Sequence, residues 1–278
     1  MSDSPFDVRP GSDSPRAHLV RADNPSAMTL DGTNTWILAE PGAARCLVVD
    51  PGPADPLHLV ALVETLAALQ LEPALAVVTH GHPDHSGNID AFVAATGAPV
   101  RALDDRWCRG TVPLVDGDSF DVDGLTVRVL ATPGHTRDSL SLHLPDDAAL
   151  VTGDTVLGRG SALVAHPDGR LDDYLSSLRR LRAVAAAGHA IHLLPGHGPQ
   201  LDQPLRVIDV LLAHRLSRLD QLQAAIESGA ETVEQIAAAV YGMPGPGLHD
   251  AVLAQVRAQL VFLAGRGVLR AGEALARG

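Results

Sequence analysis

Lysine is absent from the 278-residue sequence, so all 21 basic residues are arginine, against 33 acidic residues and a net charge of -12. Nucleic-acid binding depends on neutralising phosphates with a basic surface, so this charge argues against a general nucleic-acid-binding protein. The charge is uneven, because residues 204–278 hold as many arginines as acidic residues. A planar guanidinium can still grip a carboxylate or phosphate locally.

Cysteine is almost absent as well. Cys46 and Cys108 stand far apart and form no CxxC pair, which excludes a disulfide framework and a thiolate metal cage. No apolar run approaches the roughly 20 residues of a membrane-spanning helix. The polar N-terminus lacks the apolar segment of a secretory signal. We therefore expect a soluble, cytoplasmic protein that does not associate with membranes.

Hydrophobic residues make up 46% of the chain, enough for one large core and a small accessory domain. We expect residues 1–16 to be a flexible N-terminus, residues 17–203 a catalytic domain and residues 204–278 a second domain. Between 17 and 203, apolar runs alternate with segments of helical spacing, which predicts layered α/β or α+β architecture. Helices are predicted at 55–69, 88–95 and 172–187. Strands are predicted at AHLVRA, TWILA, RCLVVD, LAVVTH, PVRAL, LTVRVLAT, SLSLHL, ALVTGD and AIHLLP.

The second domain has a different pattern. Helical periodicity over 207–225, 233–241 and 249–264 is interrupted at MPGPG and followed by a strand-like tail, GRGVLRAG. This order resembles a winged helix with little or no wing. Winged helices often bind DNA, but this domain has no net positive charge, so we favour a packing or substrate-lid role.

Three histidines and an aspartate lie within six positions, directly after an apolar strand: His80, His82, Asp84 and His85. Neutral imidazole nitrogen and carboxylate oxygen are ligands that Zn²⁺ accepts, and His80 and His82 point the same way if the segment is extended. Asp84 and His85 are then free to serve a second cation. A single histidine would be read as a solvated side chain, but this density predicts a metal site.

Three further polar residues stand in glycine-containing turns, each soon after a predicted strand. They are His135 in TPGHT, Asp154 in TGD and His197 in PGHG. Glycine permits the backbone conformations that hold a side chain over the end of a sheet, and strand-end loops commonly carry catalytic sites. The three turns predict further ligands for the same site.

The motifs HxHxDH, PGHT, GD and PGHG, in this order, resemble the metallo-β-lactamase superfamily over residues 17–203. The resemblance implies an α+β fold, a four-layer αββα sandwich, and a metal-dependent hydrolase that uses a hydroxide bridging two metal ions. It assigns the first ion to His80, His82 and His135, and the second to Asp84, His85 and His197. Asp154 matches the carboxylate that bridges both ions.

Asn24-Pro25, the segment GTNTW and His214-Arg215 look like the lactamase-beta-2-like branch of this superfamily. That branch includes nucleases acting on single-stranded RNA and fungal thioesterases that release polyketides from carrier proteins. Gly81 stands where such relatives often have a bulky aromatic residue. Glyoxalase II, a thioesterase that grips glutathione with basic residues, is the other relative, although no equivalent basic set is evident here.

Two neighbouring divalent cations activate water without a serine or cysteine nucleophile. Zinc is our first choice, and the ligands also suit manganese or iron. Asp84 is the residue best placed to orient the attacking hydroxide, in addition to being a ligand. We expect Asn34, Thr136 and Ser139 either to contact substrate or to make turn-stabilising hydrogen bonds.

Three function classes follow from this site. The first is hydrolysis of an ester, thioester or similar acyl bond in a small molecule, with a glyoxalase II-like hydroxyacylglutathione hydrolase as a less favoured form. The second is a single-strand-specific endoribonuclease, which must gather arginines at the mouth of the site, such as Arg137, Arg159, Arg179, Arg180 and Arg215. A non-enzymatic metal-binding protein is the third. The sequence does not indicate the oligomeric state.

Overall fold

Two β-sheets packed face to face form the middle of the molecule, and helices cover both outer faces. The computed structural model describes residues 8–9, 12, 14–242, 245 and 247–267. Its layers are helix, sheet, sheet and helix, so the predicted α+β αββα sandwich is confirmed.

The smaller sheet has five strands in the order β2-β3-β4-β5-β6. These are β2 (Ala17–Arg21), β3 (Asn34–Leu38), β4 (Arg45–Val49), β5 (Glu72–Val77) and β6 (Val100–Arg101). Strands β4, β5 and β6 are parallel, so their carboxyl ends meet at one edge. The outer face is covered by α1 (Pro56–Leu69) and α3 (Ile89–Thr96), with the short α2 (Pro83–Ser86) preceding α3.

The larger sheet has seven strands in the order β1-β12-β11-β10-β9-β8-β7. These are β1 (Val8–Arg9), β7 (Ser119–Val122), β8 (Leu125–Ala131), β9 (Leu140–Leu144), β10 (Ala149–Gly153), β11 (His192–Pro195) and β12 (Gln200–Asp202). Strands β10 and β11 are parallel, and the remaining pairs are antiparallel. The outer face is covered by α4 (Leu171–Ala186) and by the C-terminal helices α5 (Pro204–Glu227), α6 (Val233–Tyr241) and α7 (His249–Gly265).

The core follows the two-residue alternation of the strands. In β3, Trp36 and Leu38 face the larger sheet, whereas Ile37 packs under the helices of the other face. All three side chains are at most 1% exposed. Because both faces of the central strands are buried, the strands read in the sequence as nearly continuous apolar runs.

All nine predicted strands coincide with observed strands, and the predicted helices match α1, α3, α4, α5, α6 and α7 within a few residues at each end. Strands β1, β7 and β12 were not predicted. The Val8–Arg9 strand pairs with Leu201 and Gln200, although it falls within the segment expected to be flexible. The domain boundaries themselves stay a prediction.

The C-terminal helices share one apolar cluster with α4 and with the outer face of the larger sheet. Ile208 on α5 and Leu260 on α7 are fully buried in this cluster, together with Leu193 on β11. The predicted strand-like tail spans 265–272; its first residue ends α7, and residues 268–272 lie outside the described residues. Among the helices described, none is both long enough and apolar enough to cross a membrane.

Candidate metal centre

The seven predicted ligands lie together at one edge of the sandwich. His80 follows β5, Asp154 follows β10 and His197 follows β11, and the parallel pairing within each sheet brings these strand ends to the same edge. His82 is the residue before α2, which carries Asp84 and His85 in its single turn. His135 lies in the loop between β8 and β9. We call these seven residues the ligand cluster.

Three histidines form one side of the cluster, which we call the first triad: His80, His82 and His135. His82 Nδ1 lies 3.0 Å from His80 Nε2 and 3.0 Å from His135 Nε2. His80 is 1% and His135 7% exposed, whereas His82 is open to solvent. Three imidazole nitrogens therefore converge on one point at the surface of a cavity.

Asp84, His85 and His197 form the other side, which we call the second triad. The Nε2 atoms of His85 and His197 are 3.3 Å apart, and Asp84 Oδ2 lies 3.4 Å and 3.2 Å from them. The potential donor atoms of this triad, like those of the first, all lie within 4.8 Å of one another.

Asp154 lies between the two triads. Its Oδ2 atom is 3.6 Å from His135 Nε2 and 3.3 Å from His197 Nε2, and its Oδ1 atom is 3.5 Å from His85 Nε2. One carboxylate thus reaches both halves of the cluster. Oδ1 is buried without a hydrogen-bond partner among the described residues, which is costly for a carboxylate oxygen unless a cation satisfies it.

The Nδ1 atoms of His80 and His85, on the outer side of each ring, form hydrogen bonds with Thr79 and the buried Asp50. Asp50 Oδ2 lies 2.8 Å from His85 Nδ1 and accepts the hydroxyl hydrogen of Thr79 at 2.8 Å. Thr79 Oγ1 has then given away its one hydrogen, so at 3.1 Å it accepts from His80 Nδ1. Both histidines therefore keep the lone pair of Nε2 for the centre of the cluster.

Backbone carbonyls fix two more rings. His135 Nδ1 donates to Leu163 O at 2.6 Å, and His197 Nδ1 donates to Gly32 O at 3.2 Å. In neutral imidazole only one nitrogen carries hydrogen, so Nε2 of each ring is left as an acceptor. Four of the five histidines are thus held in the tautomer that a metal ion requires.

The charges of the carboxylates in the cluster favour a cation at the second triad. Burial and the neighbouring imidazoles hold the pKa of His80 well below its ordinary value. Burial also disfavours charge on His197, but Asp154 and Asp84 outweigh it and raise its pKa to about 9. Against the same effect of burial, Asp154 and Asp50 raise the pKa of His85. Protons on the second triad therefore supply the positive charge that the carboxylates attract, and a bound cation would replace them.

Glycine permits the close approach of the strand ends at Gly196. A Cβ atom there would lie 2.5 Å from Asp154 Oδ1 and 2.8 Å from His85 Cε1. Any side chain would therefore push these two residues out of the cluster.

A second close approach is made at Gly81, which lies under the indole of Trp107. A Cβ atom on Gly81 would lie 2.4 Å from Trp107 Nε1, which donates to Asp138 at 3.0 Å. The aromatic side chain beside the HxHxDH motif is thus supplied by a distant segment, the 3₁₀ helix Asp105–Trp107.

Two cavities open beside the cluster. The metal cavity, of about 370 Å³, is lined by the ligands His82, Asp84, His135, Asp154 and His197 and walled by residues that include Met28, Leu163, Ala165 and Pro167. The side cavity, of about 510 Å³, lies on the other side of His82, under Trp107, Arg106 and Arg137. Asp168 lines both cavities.

The three predicted substrate contacts make the turn-stabilising hydrogen bonds offered as the alternative. Asn34 is fully buried and donates to the carbonyls of Pro195 and Gly198 at 2.9 and 2.8 Å. Thr136 and Ser139 join their hydroxyls at 2.7 Å. Of the three, Thr136 also lines the side cavity. Direct contact with a substrate stays a prediction.

Asp50, which contacts Thr79 and His85, was not predicted from the sequence as a site residue. It follows the apolar strand β4, as His80 follows β5, so the same signal of a polar residue at a strand end was present. The residue is 2% exposed and has a positive φ of 55°, a conformation that aspartate tolerates better than most residues. The backbone carbonyls of Gly32 and Leu163 gave no signal in the sequence.

The comparisons with known proteins agree with the family that the sequence motifs indicate. Residues 28–197 match the model of the metallo-beta-lactamase superfamily. Lactamase-like protein vrtG of Penicillium aethiopicum is 34% identical over 239 residues, 82% of this chain and 74% of that protein. Beta-lactamase-like protein 2 homolog of Caenorhabditis elegans is 34% identical over 202 residues, 70% of this chain and 65% of that protein, just under two thirds of its length. Atrochrysone carboxyl ACP thioesterase nsrC of Aspergillus novofumigatus is 32% identical over 242 residues, 82% of this chain and 72% of that protein.

Solved structures share the fold. A beta-lactamase domain protein from Burkholderia ambifaria superposes with a TM-score of 0.77 at 23% identity, covering 93% of this chain and 90% of that one. A protein solved in a di-iron-bound form reaches a TM-score of 0.51 at 26% identity, covering 66% of this chain and 94% of that one. The ligand cluster could bind metal, and the predicted resemblance is confirmed: this chain belongs to the metallo-beta-lactamase superfamily and is a hydrolase of that fold.

Proposed function

We propose that this chain hydrolyses an ester or thioester bond in a small acyl substrate, with two divalent metal ions held by the ligand cluster. The observation that carries the proposal is the wall of the metal cavity. Met28, Leu163, Ala165 and Pro167 contribute apolar surface, and no arginine is among the described residues that line it. Such a cavity favours a neutral carbonyl substrate with an apolar group over a phosphodiester.

In this proposal the first triad would hold one ion and the second triad the other, with Asp154 within reach of both. Such ions would supply an activated water and polarise the carbonyl oxygen of the substrate. Asp84 orients the attacking water, and Thr33 Oγ1 holds this carboxylate by donating to Oδ2 at 3.1 Å. The apolar wall keeps bulk water away, which strengthens each of these electrostatic contacts.

Zinc remains the proposed metal, because five imidazoles and two carboxylates form a borderline donor set. The same set suits manganese and iron, and one structural neighbour was solved in a di-iron form. The two converging triads support a proposed stoichiometry of two ions per chain, whatever the identity of the ions.

Four of the five arginines named for the endoribonuclease alternative are paired or buried. Arg137, Arg159 and Arg180 pair with Asp168, Asp31 and Asp116 at 3.2, 2.6 and 2.6 Å. Arg215 is 1% exposed and lies over the ring of Tyr174, inside the helical layer. The fifth, Arg179, is exposed on α4. A polyanion would therefore meet mainly paired or buried guanidinium groups rather than a basic groove. These pairings support an acyl substrate, which agrees with the thioesterase named among the relatives.

A hydrolysis panel tests the proposal. The protein is loaded with zinc, manganese or iron and offered acyl-CoA thioesters, nitrophenyl esters, S-lactoylglutathione, lactones, β-lactams and single-stranded RNA. We expect acyl substrates to be cleaved and the protein to bind close to two equivalents of metal per chain. The variant His80→Ala, which removes one proposed ligand, should lose this cleavage. Cleavage of RNA without any acyl substrate would overturn the proposal, as would less than half an equivalent of metal with no activity gained on adding more.

A further inference from the structure

A third cavity, of about 460 Å³, lies between the loop before α4 and the last helix, α7. We call it the tail cavity. Its lining includes Leu171 at the start of α4 and Ala258, Val261 and Phe262 on α7. Val261 is 44% exposed, so an apolar side chain of this helix faces open space within the cavity.

The tail cavity adjoins the metal cavity. His166 lines both cavities, and the neighbouring residues of its loop divide between them: Pro167 lines the metal cavity and Gly169 the tail cavity. The loop is tied to α7, because His166 N donates to Ala254 O at 3.1 Å. The two cavities therefore meet at His166, beside α7.

The lining of the tail cavity is partly apolar and partly charged. The charged part, which we call the rim, consists of Arg170, Asp172 and Arg266. Arg266 stacks over the ring of Phe262 at 4.4 Å and pairs with Asp172 at 3.4 Å. Both partners of this pair are more than half exposed, so the pair is weak and leaves the rim open to solvent.

We propose that the tail cavity binds the apolar chain of the acyl substrate whose carbonyl group lies at the ligand cluster. The inference rests on the proposed function and extends it to a substrate class, linear acyl groups of medium length. At about 30 Å³ for each water-sized group, the cavity has room for roughly 15 such groups. A medium-length chain fits this space, and an acetyl group does not reach it.

The test is a chain-length series of nitrophenyl esters from acetyl to dodecanoyl. Burial of each added methylene contributes a gain in kcat/KM of up to about fourfold while the cavity fills. We expect kcat/KM to rise from acetyl to octanoyl and then to level off. Equal kcat/KM for acetyl and octanoyl esters would overturn the subsite.

Two variants locate the effect. Gly265→Leu adds a side chain at a position where a Cβ atom has no neighbour within 4 Å, so it enters open space at the cavity. Val261→Asp puts a charge into the apolar wall. Each should abolish most of the gain with octanoyl ester and leave the acetyl ester unchanged. Val210→Asp is the matched control, because Val210 is 41% exposed on α5 and lines neither the metal cavity nor the tail cavity. Variants that keep the wild-type chain-length preference would contradict the assignment.

Binding of decanoate to the metal-loaded protein, measured by calorimetry, tests the subsite independently of the proposed hydrolysis. If no ester is cleaved, the proposed function fails, and the subsite is then judged by binding alone. We expect decanoate to bind more tightly than acetate, and Val261→Asp to remove that difference while Val210→Asp keeps it. Equal binding of the two carboxylates by the wild-type protein would reject the tail cavity as a chain-binding site.

Discussion

Asp50 determines which nitrogen of His85 carries hydrogen, so Asp50→Asn should weaken the second metal ion more than the first. Asp50 accepts three hydrogen bonds: Oδ1 from Thr79 N at 2.7 Å, and Oδ2 from Thr79 Oγ1 and His85 Nδ1 at 2.8 Å each. Asparagine must keep its oxygen toward the Thr79 amide, which turns an NH₂ group toward His85. The imidazole then has to accept at Nδ1, which places its hydrogen on Nε2, the atom directed into the second triad.

The expected magnitude follows from the loss of one outer-sphere hydrogen bond to a metal-binding histidine. Such losses weaken metal affinity by about 10- to 100-fold, or about 1.4–2.7 kcal/mol. The loss should fall mainly on the second ion, because Asp50 contacts His85 directly but reaches His80 only through Thr79 Oγ1, which can still accept from His80 Nδ1. Activity should decline in step with occupancy of the second triad.

The assay is a chelator-competition titration that resolves two stepwise dissociation constants for zinc. Asp202→Asn serves as the control, since it makes the same carboxylate-to-amide change in a second His–Asp pair, 2.7 Å from His192 Nδ1 in strands β12 and β11. We expect it to leave both constants unchanged. If Asp50→Asn binds two ions with wild-type affinities and remains folded by circular dichroism, the proposed control of the tautomer is wrong.

Two further predictions concern the ligand cluster, and a third concerns the stability of the loop held by α5. His197→Ala should retain about one equivalent of metal after dialysis and Asp154→Ala less, because only the aspartate reaches both triads; equal metal contents by elemental analysis would show that the bridge is assigned to the wrong residue. Asp154 and Asp84 raise the pKa of His197 to about 9, against the effect of burial, so below that pH the metal must displace a proton from this ring. Second-ion affinity, measured by titration at several pH values, should therefore rise with pH up to about 9 and then level off. First-ion affinity should change less, because burial lowers the pKa of His80, and equal slopes would contradict this. Arg215→Met should lower the free energy of unfolding in urea by about 1–3 kcal/mol, because Ala162 O loses its buried donor, and an unchanged midpoint would count against that role.

The residues of the ligand cluster could be selected from the sequence because all but two lie just after a strand or next to a glycine. The exceptions, Asp84 and His85, lie in α2, which has only four residues and is too short to show helical periodicity. Strands β7 and β12 escaped prediction for a related reason. Their sequences, SFDV and QLD, are short and partly polar, and they pair at or near the edges of the larger sheet.

The partners of the ligands were harder to predict than the ligands. A side chain such as Asp50 can be noticed at a strand end, but the oxygens that hold His135 and His197 belong to the backbone of Leu163 and Gly32. Backbone carbonyls are present at every position, so no residue type distinguishes them. Their positions depend on how the loops pack, which becomes visible only in three dimensions.

The C-terminal helices contact the loop that contains Leu163, the hydrogen-bond partner of His135 in the ligand cluster. Arg215 on α5 donates to the carbonyl of Ala162, and the next residue, Leu163, accepts from His135. On α7, Ala254 holds the amide of His166 in the same loop. Helices α5 and α7 therefore do more than cover the site, because they hold the loop whose Leu163 carbonyl accepts from His135 of the first triad. A change in these helices can alter metal affinity without touching any ligand.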